Sequence, residues 1–332
     1  DNAFFMSLAI KEAWKYQGLT YPNPAVGCCV LGKNGEILAL RAHQKAGEPH
    51  AEVLALKDAF FKLTNDSDAL EILNSQDIHD FLLTRHNNLF ANTTVYTTLE
   101  PCSHIGKTPS CASLLASLGV KNVIIGSKDF NANAANGVDV LKQSGCQIQI
   151  GVLKKECDEL LYPFERFLDD RFVFFKWAQR LNGTIDDGNI SSQTSRKNVH
   201  AMRDVCDLLV IGANTVRVDR PTLDSRLVDG KAPDVLIISR GEDFDKTIPL
   251  FNVKGRKVFI EDNFSKLDDY KNIMIEGTGS MYELTRDVVD YYLCYLAPAF
   301  GGENSFETKE DKFEVLNLAK EDTDIITWFK RI

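Results

Sequence analysis

The sequence predicts two consecutive α/β domains. The chain has 332 residues, more than the ~250–300 residues at which a single hydrophobic core usually stops growing. Short apolar strands alternate with helical segments in two blocks, a pattern typical of layered α/β domains. The segment 153–170 is predicted to be a helix that connects the blocks. We therefore expect one domain over 1–152 and a second over 153–332, the latter including the connecting helix.

Apolar periodicity and turn residues predict the elements of the first domain. A helical stripe over 3–17 precedes strands at 25–31 and 36–42, which are joined by a turn with an Asn-Gly pair that favours a hairpin. The remaining predicted elements are strands at 94–99, 122–126 and 147–150, and helices beginning near 49, 111 and 136. Residues 60–92 are polar and weakly periodic, so we expect them to form an insertion on the surface.

The second block is predicted to be richer in strands. The expected strands are 172–178, 207–213, 234–239, 256–260, 272–276 and 290–297, with helices at 192–204 and 279–288. No Gly-x-Gly-x-x-Gly motif follows any of these strands, so a Rossmann dinucleotide site is not expected. The turn at 275–280 ends a strand and begins a helix, where backbone amides could bind a phosphate group.

Composition limits the classes of partner. The formal net charge is −9 and the pI is about 5.3, which argues against a surface that coats nucleic acid. No apolar run approaches the ~18 residues of a membrane span, and no signal peptide is recognisable. The 8 Cys residues are too dispersed to indicate a disulfide framework. We expect a cytoplasmic protein that contacts neither membrane nor nucleic acid.

One group of residues predicts a catalytic zinc site. His50 and Glu52 begin a predicted helix, and Cys102 and Cys111 follow about fifty positions later. A His-x-Glu motif followed by Pro-Cys and a second Cys is the known pattern of zinc deaminases that act on bases. One imidazole and two thiolates would fill three zinc positions and leave the fourth for water. A structural site is the alternative, but the only nearby fourth ligand, His104, is too close to Cys102 in the turn.

The residue types explain the chemistry that such a site supports. Zinc lowers the pKa of bound water to roughly 7, so hydroxide is available at neutral pH to attack a ring carbon that carries an amine. A carboxylate beside the metal can take the water proton and pass protons to the ring nitrogen and the departing ammonia. Glu52 is the predicted acid/base of this reaction.

Three segments of the first domain, 21–27, 43–52 and 98–111, resemble the bifunctional riboflavin biosynthesis deaminase/reductase family, RibD. The eight residues between the two Cys distinguish this family from cytidine and tRNA adenosine deaminases. The resemblance implies a cytidine-deaminase-like three-layer domain that deaminates 2,5-diamino-6-ribosylamino-4(3H)-pyrimidinone 5′-phosphate. It also implies that zinc is bound by His50, Cys102 and Cys111, with Glu52 as the acid/base. The residues implied to contact base, ribose or phosphate are Asn23, His43, His104, Lys107 and Asn131.

The second block resembles the reductase half of the same family at 176–183, 203, 212–226 and 276–277. The resemblance implies a dihydrofolate-reductase-like α/β domain that uses NADPH to reduce the ribosyl group to a ribityl chain. The residues implied to contact NADPH are Ala178, Thr215, Asp219, Gly277, Thr278, Gly279, Ser280 and Met281. The residues implied to contact the substrate are Arg203, Leu223, Arg226 and Glu276. Arg203 and Arg226 are suited to a two-pronged phosphate clamp.

Departures from the family pattern leave a second interpretation open. Asn182 stands where the family has Asp, the loop at 186–189 is shortened and lacks a Trp, and Thr278 replaces a Gly. The alternative is therefore a deaminase whose reductase-like domain is catalytically impaired and serves assembly. A binding module with structural zinc and a nucleic-acid deaminase are further alternatives, the latter disfavoured by the acidic charge. Family members commonly self-associate, so a homo-oligomer is expected.

Overall fold

In the computed structural model, residues 1–103, 109–130, 136–186, 188–241 and 243–332 are described. Contacts divide the chain into two compact units, Asp1–Leu168 and Asp169–Ile332. None of the helices formed by these residues combines the length and apolar character needed to cross a membrane.

A mixed five-stranded sheet lies at the centre of the first unit. Its strands are β1 (Gly27–Leu31), β2 (Ile37–Ala42), β3 (Thr94–Leu99), β4 (Asn122–Ser127) and β5 (Gln147–Ile150). Their order is β2-β1-β3-β4-β5. β1 pairs antiparallel with β2 and β3, whereas β3, β4 and β5 are parallel to one another. The β1–β2 hairpin follows the prediction from the Asn-Gly turn.

Helices cover both faces of this sheet. They are α1 (Asn2–Trp14), α2 (Ala51–Thr64), α3 (Asp68–Glu71), α4 (Ser75–Arg85), α5 (Cys111–Ser117), α6 (Gly137–Gln143) and α7 (Lys154–Asp169). Cys28 and Val30 of β1 share one buried core cluster with residues of α2, α4, α5 and α6. On the other face, Tyr96 packs against Phe5 of α1 with ring centroids 5.4 Å apart. The three-layer domain predicted from the sequence is confirmed.

The prediction of a surface insertion at 60–92 is wrong for its apolar residues. Ile78, Leu82 and Phe90 are each 0% exposed and belong to the core cluster of the first unit. Ile78 and Leu82 lie one helical turn apart on α4, so a single narrow stripe faces the core. Leu73, by contrast, is 77% exposed. The segment therefore extends the core as well as the surface.

The predicted connecting helix corresponds to α7, and it packs on the first unit. The Gln17 side-chain amide donates a 2.7 Å hydrogen bond to the carbonyl oxygen of Leu160. The strand β4 approaches α7 so closely that a Cβ at Gly126 would overlap the sulfur of Cys157. The contact boundary thus falls at the C-terminal end of this helix, whereas the sequence placed the boundary at its beginning.

The second unit is built on an eight-stranded sheet. Its strands are β6 (Phe172–Arg180), β7 (Leu208–Gly212), β8 (Asp234–Ile238), β9 (Val258–Glu261), β10 (Asn272–Glu276), β11 (Tyr291–Ala297), β12 (Phe313–Glu321) and β13 (Asp324–Arg331). The order is β12-β13-β11-β6-β10-β7-β8-β9. All neighbouring pairs from β11 to β9 are parallel, and β13 and β12 add an antiparallel hairpin. That hairpin was not predicted.

Three helices of this unit accompany the sheet: α8 (Gln193–Val205), α9 (Ala213–Asp219) and α10 (Gly279–Thr285). An aromatic cluster fills the core, in which the Phe175 ring lies 6.0 to 6.3 Å from the rings of Tyr282, Tyr292 and Phe306. Lys176 and Glu276 lie side by side on the paired strands β6 and β10. Ligands of open α/β sheets bind at the carboxyl ends of parallel strands, which directs attention to this edge of the sheet.

We predict that Ile78→Ala destabilises the first unit by about 2–5 kcal/mol, because truncating a fully buried aliphatic side chain loses burial and leaves a cavity. Urea unfolding monitored by a probe in the first unit measures the change. Leu73→Ala, in the same segment, is the matched control and should stay within about 0.5 kcal/mol of the parent. Equal, small effects of the two substitutions would contradict the assignment of this segment to the core.

Candidate active sites

Three separate stretches of the first unit bring their metal-binding atoms together. His50 occupies the position just before the first residue of α2, and Cys111 is the first residue of α5. His50 Nδ1 lies 3.3 Å from Cys111 Sγ and 3.7 Å from Cys102 Sγ. All three donor atoms lie within 4.8 Å of one another. Three donors at this separation are close enough to bind one ion.

The chemistry of these donors suits zinc, which prefers imidazole and thiolate ligands. Contacts with Cys111 and His50 lower the pKa of Cys102 despite its burial, whereas the contact with Cys102 and burial raise the pKa of the Cys111 thiol. The backbone N–H of Cys111 also donates to the Cys102 sulfur, at 3.5 Å. Cys102 is therefore disposed to be a thiolate, the form that binds metal.

Glu52 lies beside these donors in the first turn of α2 and is only 4% exposed. Burial raises the pKa of its carboxyl group above the ordinary value, although the charge of His50 and a hydrogen bond from Cys111 act in the opposite direction. A carboxyl group with a raised pKa holds a proton more readily than an exposed one, which suits a group that must take up and then deliver protons. Its position and its pKa suit the predicted acid/base.

Two of the residues implied to contact substrate, Asn23 and His43, lie next to the metal-binding group. The His43 ring is 5.5 Å from the ring of His50 and nearly perpendicular to it. His43 Nδ1 is 3.2 Å from the carbonyl oxygen of Pro49, which can only accept, so Nδ1 carries the proton. The side-chain amide of Asn23 then donates to Nε2 at 3.1 Å. Burial lowers the pKa of His43 to about 4, so the ring is neutral near pH 7.

His104, Lys107 and Asn131, the other implied substrate contacts, lie outside the described residues. The residues on either side of the segment that contains Asn131 are held by Glu100, a buried residue whose role was not predicted from the sequence. Its carboxylate accepts hydrogen bonds from the backbone N–H of Val138 at 3.0 Å and of Asp129 at 3.4 Å. The adjacent Pro-Cys pair was the signal that could have drawn attention to it.

Ser110 connects the two Cys residues. Its hydroxyl donates to the Cys102 carbonyl oxygen at 2.9 Å and accepts from the backbone N–H of Ser113 at 3.1 Å. It therefore caps the N-terminus of α5 and at the same time positions the segment that carries Cys102. Ser110 thus provides a structural link between the two segments that carry the cysteines.

The second unit contains a cleft of about 420 Å³ at the carboxyl ends of β6 and β10. It is lined by nine of the residues predicted to bind cofactor or substrate, namely Ala178, Arg203, Thr215, Asp219, Leu223, Arg226, Glu276, Gly277 and Thr278. Ser280 and Met281 line a second cleft of about 460 Å³ that shares Thr215 and Thr278 with the first. Gly279 instead faces the backbone of Glu307, whose carbonyl oxygen a Cβ would overlap.

A buried ion-pair network forms part of the cleft. Arg203 Nη2 lies 2.7 Å from Glu276 Oε1, and Lys176 Nζ lies 3.5 Å from Glu276 Oε2. Burial opposes the ionisation of Glu276, but the charges of Arg203 and Lys176 outweigh it and lower its pKa to about 2. Arg226 pairs with Asp224 at 2.7 Å. Both guanidinium groups of the predicted phosphate clamp therefore already contact a carboxylate.

Sequence reasoning missed three further residues of this cleft, Arg196, Val199 and His200, which lie on α8. Together with Arg203 they follow the spacing i, i+3, i+4 and i+7, which places them on one face of the helix. That periodicity was visible in the sequence. It was not used because the family resemblance directed attention to Arg203 alone.

Comparison with known proteins agrees with this architecture. Residues 1–127 match the family model described as "Cytidine and deoxycytidylate deaminase zinc-binding region", and residues 171–326 match the RibD C-terminal domain. A riboflavin biosynthesis protein RibD from Aquifex aeolicus is 34% identical over 242 residues, which cover 70% of this chain and 60% of that protein. RibD from Actinobacillus pleuropneumoniae is 28% identical, with 92% of this chain and 85% of that protein aligned.

A solved structure from Thermotoga maritima superposes over 100% of this chain and 99% of its own, with a TM-score of 0.66 and 26% identity. It is described as a diaminohydroxyphosphoribosylaminopyrimidine deaminase/5-amino-6-(5-phosphoribosylamino)uracil reductase. Fold and sites thus define a two-domain enzyme with a zinc-binding deaminase region followed by a reductase region of the NADPH-dependent type. The chain belongs to the RibD family of riboflavin biosynthesis enzymes.

We predict that Cys111→Ser removes stoichiometric zinc from the purified full chain, because a neutral hydroxyl is a far weaker zinc ligand than a thiolate. Zinc content measured by mass spectrometry after dialysis tests this. Cys157→Ser is the matched control, since Cys157 is equally a buried thiol of the first unit but lies on α7. Full zinc retention in Cys111→Ser, or equal loss in both variants, contradicts the assignment.

Proposed function

We propose that the first unit hydrolyses the 2-amino group of 2,5-diamino-6-ribosylamino-4(3H)-pyrimidinone 5′-phosphate and that the second unit reduces the deaminated product with NADPH. The observation that carries this proposal is the convergence of His50, Cys102 and Cys111 beside the buried carboxyl group of Glu52. The similar structure from Thermotoga maritima, which is described as both a deaminase and a reductase of this kind, supports the choice of substrate.

The residues of the first unit divide the deamination between them. His50, Cys102 and Cys111 hold zinc, which when bound supplies a Lewis acid that makes water nucleophilic near neutral pH. Glu52 accepts a proton from the attacking water and delivers protons to the ring nitrogen and to the departing ammonia. His43, whose two ring nitrogens already contact Pro49 and Asn23, holds the Asn23 side chain in place at the substrate. Asn23 hydrogen-bonds the pyrimidine and orients its amine-bearing carbon.

The residues of the second unit position cofactor and sugar for reduction. When bound, NADPH would supply the hydride that reduces C1′ of the ribosylamine, with a proton going to the ring oxygen as the sugar opens to a ribityl chain. Ala178, Thr215, Asp219 and the segment 277–281 hold the cofactor. The ion pair of Arg203 with Glu276 forms one part of the cleft wall that contacts the sugar. Leu223 and Arg226 form another part of the same wall.

Two of the positions that depart from the family pattern, Asn182 and the shortened loop with Asp186, make hydrogen bonds within the second unit. The Asn182 amide donates to the carbonyl oxygen of Gly301 at 3.0 Å. The Asp186 carboxylate, in the shortened loop, accepts from the backbone N–H of Glu303 at 3.1 Å and of Asn304 at 2.8 Å. The substituted positions thus have hydrogen-bond partners of their own, which favours a functional second unit over the alternative of an impaired domain used only for assembly.

The rest of the proposal concerns residues and partners. We infer that His104, Lys107 and Asn131 complete the contacts with the first substrate, and that residues 1–152 and 153–332 correspond to the two activities. The protein is expected to act as a homo-oligomer in the cytoplasm, without nucleic-acid partners.

Glu52→Gln should abolish deamination while zinc and reductase activity remain. An amide cannot shuttle protons, and general acid–base catalysis contributes about 10²–10⁴-fold, so the deamination rate should fall at least a hundredfold. Ammonia release measures the first activity, and NADPH oxidation with already deaminated substrate measures the second. Retained deamination in Glu52→Gln would contradict the acid/base role assigned to Glu52. Loss of both activities together points instead to a folding defect, which zinc content and thermal unfolding identify.

Product masses test the two-step order. Incubation of the diaminopyrimidine nucleotide without NADPH should yield only the deaminated product, and addition of NADPH should convert it to a ribityl product two hydrogens heavier. NADP⁺ formed should equal the ribityl product. A deaminated product that persists with NADPH present, despite zinc-loaded and folded protein, would establish the deaminase-only alternative.

A further inference from the structure

One face of α8 turns toward the reductase cleft and carries Arg196, His200 and Arg203. The helix is anchored at its start by the buried carboxylate of Asp324, which accepts from the backbone N–H of Ser192 at 2.7 Å. The same carboxylate accepts from the hydroxyl of Ser195 at 2.6 Å. Arg196 follows Ser195 directly, so the contacts with Asp324 also hold the backbone that carries the Arg196 side chain.

The charges on the cleft wall differ in how they are compensated. Lys176 and Arg203 share the carboxylate of Glu276, as described above. Arg226 contacts Asp224 and has a side chain that is 61% exposed. A guanidinium that already contacts a carboxylate must break or share that contact to bind an anion, which reduces the net gain.

Arg196 differs from the other cations of the cleft. Among the described residues it has no carboxylate partner, and its Nε is buried without a hydrogen-bond acceptor. A buried donor without an acceptor is costly unless a ligand or water supplies one. An uncompensated guanidinium that lines a cleft is suited to bidentate binding of phosphate oxygens.

His200, one helical turn after Arg196, adds no competing charge. Burial and the charge of Arg203 lower its pKa to about 4, so the ring is neutral near pH 7. Its Nδ1 accepts from the backbone N–H of Leu227 at 3.5 Å, so the proton of the neutral ring lies on Nε2. This face of α8 therefore presents the uncompensated positive charge of Arg196, and the neutral His200 Nε2–H, one helical turn away, is a further hydrogen-bond donor.

We propose that Arg196 binds the 5′-phosphate of the reductase substrate and is a substrate-binding residue of the second unit. This inference rests on the reductase activity proposed above. It assigns the principal phosphate contact to Arg196, and it leaves Arg203 to hold Glu276 in place.

The position within the cleft favours the phosphate of the substrate over those of the cofactor. Thr215 and Thr278, both implied to contact NADPH, are shared with the second cleft, so the cofactor has room to extend in that direction. Arg196 does not line that second cleft. It lines the first one with Arg203 and Arg226, the residues implied to contact the sugar phosphate.

The test is steady-state reductase kinetics of the zinc-loaded full chain, with the deaminated nucleotide supplied directly. Arg196→Gln should raise the KM for this nucleotide about 10- to 100-fold, the effect of losing a charge-assisted hydrogen bond. The KM for NADPH and kcat should change less than about threefold. Arg196→Lys keeps the charge and should recover part of the loss. Inorganic phosphate should compete with the nucleotide in the parent and lose this effect in Arg196→Gln.

Lys197→Gln is the matched control, because it removes one positive charge from the next position of α8, an exposed residue outside the cleft. It should leave both KM values unchanged. An unchanged nucleotide KM in Arg196→Gln, an equal effect of Lys197→Gln, or a rise confined to the KM for NADPH overturns the proposal.

Equilibrium binding of the deaminated nucleotide to the NADP⁺-loaded parent and variants repeats the comparison without turnover. If the parent binds the nucleotide through Arg196 yet reduces nothing, the inference stands and the proposed reductase activity fails. If the parent reduces the nucleotide and Arg196→Gln binds it equally well, the proposed reductase activity stands and the inference about Arg196 fails.

Discussion

The first unit depends on a single convergence, in which one imidazole and two sulfurs from distant parts of the chain must meet at one point. The starts of α2 and α5 supply His50 and Cys111, and the segment after β3 supplies Cys102. The donors contact one another directly, since the backbone N–H of Cys111 donates to the Cys102 sulfur and His50 Nδ1 lies 3.3 Å from Cys111 Sγ. Glu52 and His43 acquire their altered pKa values from burial in the same place.

The sequence predicted most elements that surround this site, because buried strands and helix starts leave strong local signals. Prediction from the sequence failed for elements whose position depends on tertiary contacts. The stripe formed by Ile78 and Leu82 spans one turn of a polar helix, too short to stand out as periodic, yet the core cluster encloses both residues. The hairpin of β12 and β13 was missed because β12 is an edge strand with several charged and only partly buried residues.

The same distinction applies to the functional residues. His50, Glu52, Cys102 and Cys111 belong to a motif whose spacing alone suggests a metal site. The compensation of charges in the second unit is different, because it depends on which side chains meet across the sheet. No local pattern shows that Glu276 on β10 pairs with Arg203 on α8. Nor does any show that Arg196 has no carboxylate partner among the described residues.

X-ray absorption at the zinc edge of the purified full chain tests the central claim most directly. We expect two sulfur ligands at about 2.3 Å and one imidazole nitrogen at about 2.0–2.1 Å, with a fourth, light-atom ligand from solvent. Three or four sulfur ligands, or a second imidazole in the fourth position, would mean a closed structural site. That result would contradict a catalytic centre built by His50, Cys102 and Cys111.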